Sequence, residues 1–418
     1  MGTQSNVRQN AQFTNLLLWV TNPFVRTSMT VRFAICVLAV AGNETASGQI
    51  WMKTGAPSNS WSAVACSANG TTVVAACNPA RAGQIYVSTN SGADWSVTSA
   101  PTLNWYSIAC SADGTRAVAG SYGGGIYTSA DAGVTWASNN IPNVINGAWE
   151  SVSLSADGLR TFAVPRGNYI MNYTTNFGTT WQRTTNNLAD LISVAASADG
   201  TFGVASDTQG RAATTTNLGA TWSTNIKVSP MQGTWVVHLS ASADGRRLLS
   251  AAMFGGVYTS TNRGLTWASN SLPSNSSWYA TASSADGGIL TVAGQKGLMY
   301  SSTNSGVTWE SNSAPGLFWQ SVASSADGSV VFAAPANGEI WVRRTIPTPR
   351  LSIVSTVPGP LLSWIVPSAD FTLQRAVDLV APHWTEVTNV PVLNLTNLQN
   401  QVTVPWGEKL EIYRLREN

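Results

Sequence analysis

SANGTTVVAACNPARAGQIYVSTNSGADW, from Ser67 to Trp95, holds two short phrases, SANG and STNSGADW, and both recur along the chain. The first returns as SADG at Ser111, Ser155, Ser197, Ser242, Ser284 and Ser325, so successive copies start 41 to 45 residues apart. A period of about 40 to 45 residues built from short alternating segments is the sign of a β-propeller in which each repeat is one four-stranded blade. Seven copies imply seven blades, in an all-β fold.

One repeat shows the strand order. WYSIACSA, from Trp105, alternates bulky and small residues; Asp113-Gly114 makes a tight turn; TRAVAGSY follows as a second strand. Gly123 to Gly125 form the next turn, GIYTS is a third strand, and SADAGVTW turns into the fourth.

The second phrase occurs as STNSGADW at Ser88, SADAGVTW at Ser129, TTNFGTTW at Thr174, TTNLGATW at Thr215, STNRGLTW at Ser260 and STNSGVTW at Ser302. These six copies resemble the Asp-box, or BNR repeat, S-x-D-x-G-x-T-W, found in sialidases, sortilin-like receptors, some xyloglucanases and photosystem II assembly factors. The resemblance covers about 300 residues and implies a propeller scaffold, not an activity, because a turn repeated around a ring cannot mark one unique site. Only Asp131 keeps the acid of the pattern; Asn90, Asn176, Asn217, Asn262 and Asn304 replace it. Asn and Asp both cap turns by accepting backbone N–H bonds, and the Gly permits positive φ.

The last repeat lacks a box. WQSVASSADGSVVFAAPANGEIWVRR supplies three strands after Trp319, and GQIWMKTGAP from Gly48 can supply the fourth, closing the ring and removing its exposed edges. The propeller is therefore expected over residues 48–346. The proline-containing TIPTPR leads to a second module, 347–418, whose alternating segments resemble the small fibronectin-like β-sandwich that ends many secreted bacterial proteins, here finishing Ile412-Tyr413-Arg414-Leu415-Arg416.

Residues 1–47 read as an N-terminal extension. Within it Met29 to Ala41, MTVRFAICVLAVA, has a basic start, a short apolar run and a small-residue end, the layout of a secretory signal too short to span a bilayer. The competing reading is a buried hydrophobic strand. Export implies a secreted or cell-surface protein, or a periplasmic one. Cys66, Cys77 and Cys110 describe neither a disulfide framework nor a metal site and read as small buried hydrophobes; Cys66 and Cys110, at the same place in neighbouring repeats, leave a bridge open as the alternative.

Composition limits the chemistry. Only 10% of residues are charged and the net charge is +2, which gives no electrostatic reason for nucleic acid or an anionic membrane as partner. No phosphate loop, metal-ligand cluster or nucleophile elbow is present, so no cofactor or metal is expected. Ligand-binding residues are expected on the face opposite the repeated turns, where the links differ between repeats. These include Arg81, Tyr122, Arg166, Asp207, Arg211 and Lys296. A second set lies one residue after the repeated Trp: Ser62, Tyr106, Glu150, Ile192, Val237, Tyr279 and Gln320, the fifth shifted by a one-residue bulge.

A glycosidase would need two carboxylates. Outside the turns the propeller offers Glu150, Asp190, Asp207, Glu310 and Glu339, with Glu150 and Asp207 as the candidate catalytic pair. The expected function is a non-catalytic, monomeric binder of a polysaccharide or protein. The alternatives are a BNR-type glycoside hydrolase and an assembly-factor-like scaffold. Sequencing the amino terminus of exported protein is expected to read from just after Ala41; a mature chain beginning at Met1 overturns the signal.

Overall fold

The computed structural model describes residues 51–78, 82–139, 141, 147–166, 170–185, 188, 190–228, 235–253, 255–273, 276–345, 351–354, 356–357, 359–365, 371–378, 383–394, 399–405 and 411–417, together with two earlier strands, 16–20 and 33–37, as backbone. Seven four-stranded antiparallel sheets follow one another from Trp61 to Arg344, six with strands in simple chain order. The first strand of each sheet lies beside the first strand of the next, and the last of these, Trp319–Ser324, lies beside Trp61–Cys66. The sheets form a closed ring around an axis, which is a β-propeller.

The second strand of each sheet is packed on both faces by neighbouring sheets. Val73–Cys77, Ala117–Ser121, Gly203–Asp207 and Leu290–Gly294 are buried at every position. Burial on both sides explains why these strands are runs of Val, Ala and Gly instead of alternating polar and apolar residues. Outermost strands such as Ser96–Val97 and Ala268–Ser269 are exposed.

At one end the ring is closed by backbone alone. The alanine of each first phrase donates its N–H to the carbonyl of the alanine in the next: Ala68 to Ala112, Ala112 to Ala156, then Ala198, Ala243, Ala285 and Ala326, and Ala326 back to Ala68, all at 2.6 to 2.9 Å. The alanine side chains form one apolar cluster against which Leu393 of the C-terminal module packs. Beside this ring the axis holds a cavity of about 160 Å³, lined in part by Cys66, Cys110, Leu154 and Ala196. Both cysteines are free thiols. Burial pushes Cys66 up to about 12 and Cys110 upward as well, so both are protonated and unreactive near neutrality.

The turns explain the phrases. In the first, Ser111 Oγ donates to Asp113, whose carboxylate accepts the N–H of Thr115, while Ser111 Oγ accepts the N–H of Arg116. Five residues on the same pattern holds every copy, with Asn69 standing for Asp in the first. In the second, Ser129 Oγ accepts the N–H of Gly133, and Asp131 accepts the N–H and hydroxyl of Thr135. Where Asn replaces Asp the side chain accepts the same N–H but donates Nδ2, to the threonine hydroxyl from Asn176, Asn217, Asn262 and Asn304, as from Asn217 to Thr221 at 2.9 Å, and to the Asp94 carboxylate from Asn90. A threonine hydroxyl both donates and accepts, so acid and amide are interchangeable there. The residue before each box glycine also has positive φ, from Phe177 at 54° to Arg263 and Leu218 at 61°.

After the propeller, Ser352–Val354, Leu361–Ile365, Gln399–Thr403 and Val392–Asn394 make one sheet, and Phe371–Ala376, Thr385–Glu386 and Ile412–Glu417 belong to another. Leu362, Trp364, Val402, Leu373, Tyr413 and Leu415 from the two sheets share a core. The second sheet is extended by Leu16–Val20 and Phe33–Val37, with Cys36 and Val37 running parallel to Ile412 and Tyr413. Phe33–Val37, within the apolar run expected as a signal, is thus a strand here, and cleavage after Ala41 would remove both added strands. The expected boundary at 346/347 lies outside the described residues.

The last sheet is completed by the start of the described chain. Trp51–Lys53 pairs antiparallel with Trp341–Arg344. Trp51 is buried, stacks on Trp319 at 6.2 Å, and has the guanidinium of Arg343 5.9 Å from its ring centroid. Beyond it the N–H of Gly55 donates to Gly92 O, and a Cβ at Gly55 would lie 2.0 Å from Ala93 O, so only glycine fits that crossing into the first sheet. Deleting residues 48–58 exposes this edge and the Trp319 ring. The melting temperature, read by circular dichroism, is expected to fall by about 10 °C or more, several kcal/mol at the usual conversion.

Candidate functional site

The repeated turns of both kinds lie at one end of the ring, because they join first to second and third to fourth strands. The links between second and third strands and between sheets lie at the other. There isolated bridges tie the two kinds of link together: Gly83 with Leu103, Tyr122 with Ala148, Gly255 with Ser276 and Asn59 with Gly338.

At this end every first strand carries a β-bulge. The register against the second strand slips between Trp61 and Ala63, Trp105 and Ser107, Trp149 and Ser151, Leu191 and Ser193, Val236 and His238, Trp278 and Ala280, and Trp319 and Ser321. The extra residue is in each case the non-repeated one: Ser62, Tyr106, Glu150, Ile192, Val237, Tyr279 and Gln320. The bulge expected only in the fifth repeat is a property of all seven, and the fifth strand is one residue longer because Trp235 also pairs. A bulge re-aims a side chain and ends regular pairing, which is why the conserved phrase is interrupted there. The preceding residues Trp61, Trp105, Trp149, Leu191, Trp278 and Trp319 are buried and anchor their strands. Ser107, Ser151 and Ser321, two residues beyond Trp105, Trp149 and Trp319, and Ser193, two beyond Leu191, accept the N–H of Val152, Val194, Val64 and Leu239 respectively in the next sheet, satisfying inner-edge donors that have no ladder partner.

Glu150 is the one carboxylic acid among the seven bulge residues, which include no basic side chain. Its Oε2 is buried and accepts no hydrogen bond within the described residues. Burial raises its carboxyl above the ordinary value of 4.5, the Arg166 guanidinium opposes this and the Asp190 carboxylate adds to it. Arg166 is exposed, with its backbone N–H held by Ala148 O at 2.7 Å, and Asp190 has a positive φ of 60°. Tyr106 lies 5.8 Å from Tyr122, ring to ring, and Tyr122 is half exposed. These residues of the second, third and fourth sheets converge on one side of the mouth.

On the other side Tyr279 packs edge-on against Phe318 at 4.8 Å and its hydroxyl accepts Gln295 Nε2 at 3.0 Å. Lys296 is exposed in a short 3₁₀ turn with φ 57°, and Gln320 is half buried at the seventh bulge. Asp207 and Arg211, at the link between the second and third strands of the fourth sheet, are paired with each other. Asp207 is fully buried, accepts the N–H groups of Gln209 and Arg211, and pairs with the Arg211 guanidinium at 2.7 Å. It stabilises its own turn, and the carboxylate whose charge reaches Glu150 is Asp190. Arg81 lies outside the described residues.

Among the described residues no group of three His, Cys, Asp or Glu side chains could hold a metal ion, and no helix is long and apolar enough to cross a membrane. Burial pushes the imidazole of His238 down to about 4, so it is neutral at pH 7.

No protein-family model and no curated protein matches the sequence. Among solved structures, YCF48 bound to D1 peptide matches with a TM-score of 0.53 and 14% identity over 72% of this chain and 97% of that one. YCF48 from Cyanidioschyzon merolae gives 0.53 and 14% over 70% and 98%. The GH74 enzyme of Niastella koreensis gives 0.51 and 18% over 70% of this chain and 43% of its own. At these identities the likeness is one of fold, the β-propeller.

Because its folded pKa is raised, Glu150 binds its proton more tightly folded than unfolded. Its contribution favours folding below the unfolded value and is lost as pH rises through the folded one. Thermal melts of Glu150→Gln are therefore expected to match the parent at pH 4 and to exceed it by a few degrees at pH 8. Equal melting at both pH values would show that the carboxylate is not buried.

Proposed function

We propose that this chain is an exported, non-catalytic, seven-bladed β-propeller with box-type turns and a C-terminal β-sandwich, which holds a segment of a partner protein at the bulge-lined mouth. One observation carries the reading: all seven bulges set the non-repeated residues of the inner strands at the same end of the axis. Each bulge re-aims a side chain, and together they present a ring of divergent ones. Tyr106, Tyr122 and Tyr279 offer flat faces with polar edges, suited to peptide bonds and side chains, and Gln320, Arg166 and Lys296 supply hydrogen bonds at the rim. Leu393 packs against the alanine ring at the opposite end. YCF48, similar in fold, is a propeller bound to a peptide.

A second reading, a glycoside hydrolase, draws on the raised carboxyl of Glu150 and the second carboxylate, Asp190, that acts on it. Peptide arrays, glycan arrays and chromogenic glycosides separate the two. Peptide retention lowered about tenfold or more by Tyr106→Ala, with no glycoside turnover, is expected. Turnover abolished by Glu150→Gln or Asp190→Asn would establish the enzyme instead, and retention of glycans alone would make the ligand a polysaccharide.

A further inference from the structure

We propose that the mouth seats a cationic group of its peptide ligand, a lysine ammonium or arginine guanidinium, on Glu150 between the Tyr106–Tyr122 pair and Asp190. The inference deepens the peptide-binding reading and rests on it.

The charge arrangement is one-sided. Six of the seven bulge residues are neutral, and the single charged one is an acid with an oxygen that accepts no hydrogen bond within the described residues. Leaving a buried carboxylate oxygen unpaired costs about 1–3 kcal/mol or more, a cost a protein keeps where the group has a use outside the fold. Arg166, the nearest opposing charge, does not remove that cost: among the described residues no ion pair joins it to Glu150. Asp190 adds a second negative charge to the same spot.

The aromatic side has the same preference. Tyr106 and Tyr122 are tilted by 33° at 5.8 Å, so part of each face is left uncovered. Cations bind such faces with about 0.5–2 kcal/mol, and a carboxylate on the other side of the same cation adds to it. Room exists beside them: a Cβ built at Gly123 or Gly125 meets no atom within 4 Å, so the loop carrying Tyr122 has open space alongside it. That loop is pinned to the Glu150 strand by the bridge between Tyr122 and Ala148 and by the N–H of Gly123 on Gly147 O at 3.1 Å. Aromatic faces and carboxylate are therefore held at a fixed spacing and not brought together by the ligand.

The test is selection of a random nonapeptide phage library on the full chain. Selected peptides are then measured by fluorescence anisotropy as such and with their basic residue replaced by N-acetyl-lysine. Enrichment of one Lys or Arg position, a loss of about tenfold or more on acetylation, and disappearance of that difference in Glu150→Gln are expected. Glu150→Gln keeps the shape of the side chain, and its melting curve verifies folding. Selected peptides that depend on Tyr106 but bind equally with and without acetylation, or bind Glu150→Gln as well as the parent, overturn the cationic assignment and leave the peptide-binding reading standing. Failure to select any peptide whose binding is lost in Tyr106→Ala overturns both.

Discussion

Seven alanine N–H groups donating in turn to seven alanine carbonyls form the constraint on which the rest of the structure depends. A closed circle of backbone bonds fixes how near neighbouring sheets come at that end. It also fixes the side chain allowed there, because anything larger than a methyl group would crowd the axis between adjacent strands. The Ser-Asp turns hold each alanine in place, and the small-residue second strands let sheets pack at the spacing the circle dictates. Only the opposite end, released from the circle by the bulges, is free to vary.

Much of the scaffold was legible because periodic sequence reflects periodic structure. The SADG spacing gave the strand order, and the missing last box pointed to Trp51–Lys53 as the strand that completes the final sheet. The alanine of SADG was read only as part of a turn. Its constancy at Ala68, Ala112, Ala156, Ala198, Ala243, Ala285 and Ala326 was the available sign of a crowded axis. Likewise the serine of W-x-S, at Ser107, Ser151 and Ser321, was the sign of bonds from sheet to sheet. Such signals are weak because they name small residues, which sequence reasoning assigns to turns by default.

The site was legible in part for a related reason. Interrupted periodicity marked the seven bulge positions, but pairing between distant residues is not periodic. Asp207 looked like a partner for Glu150 because both are acids outside the repeated turns. In space Asp207 is held by Arg211 four residues away, and Asp190, at a positive-φ position in a link, is the carboxylate that acts on Glu150. Sequence distance favoured neither, and only the geometry of the links separates them. The stability that a neutral residue would restore at position 150 is the ordinary exchange of stability for a reactive surface.

The strand Trp51–Lys53 leaves the ribosome before any other part of the ring and finds its partners last. The bond from Thr54 to Ile340 joins residues 286 apart in sequence, and a loop of that length adds about 5 kcal/mol of closure entropy before the contact is rewarded. Six sheets can form before residues 341–344 are made; the seventh cannot. Until then Trp319 lacks its stacking partner and two sheet edges stay open. The nascent molecule is an incomplete circle whose ends wait for each other, and the time spent in that state is set by the length of the protein instead of by the strength of any one contact.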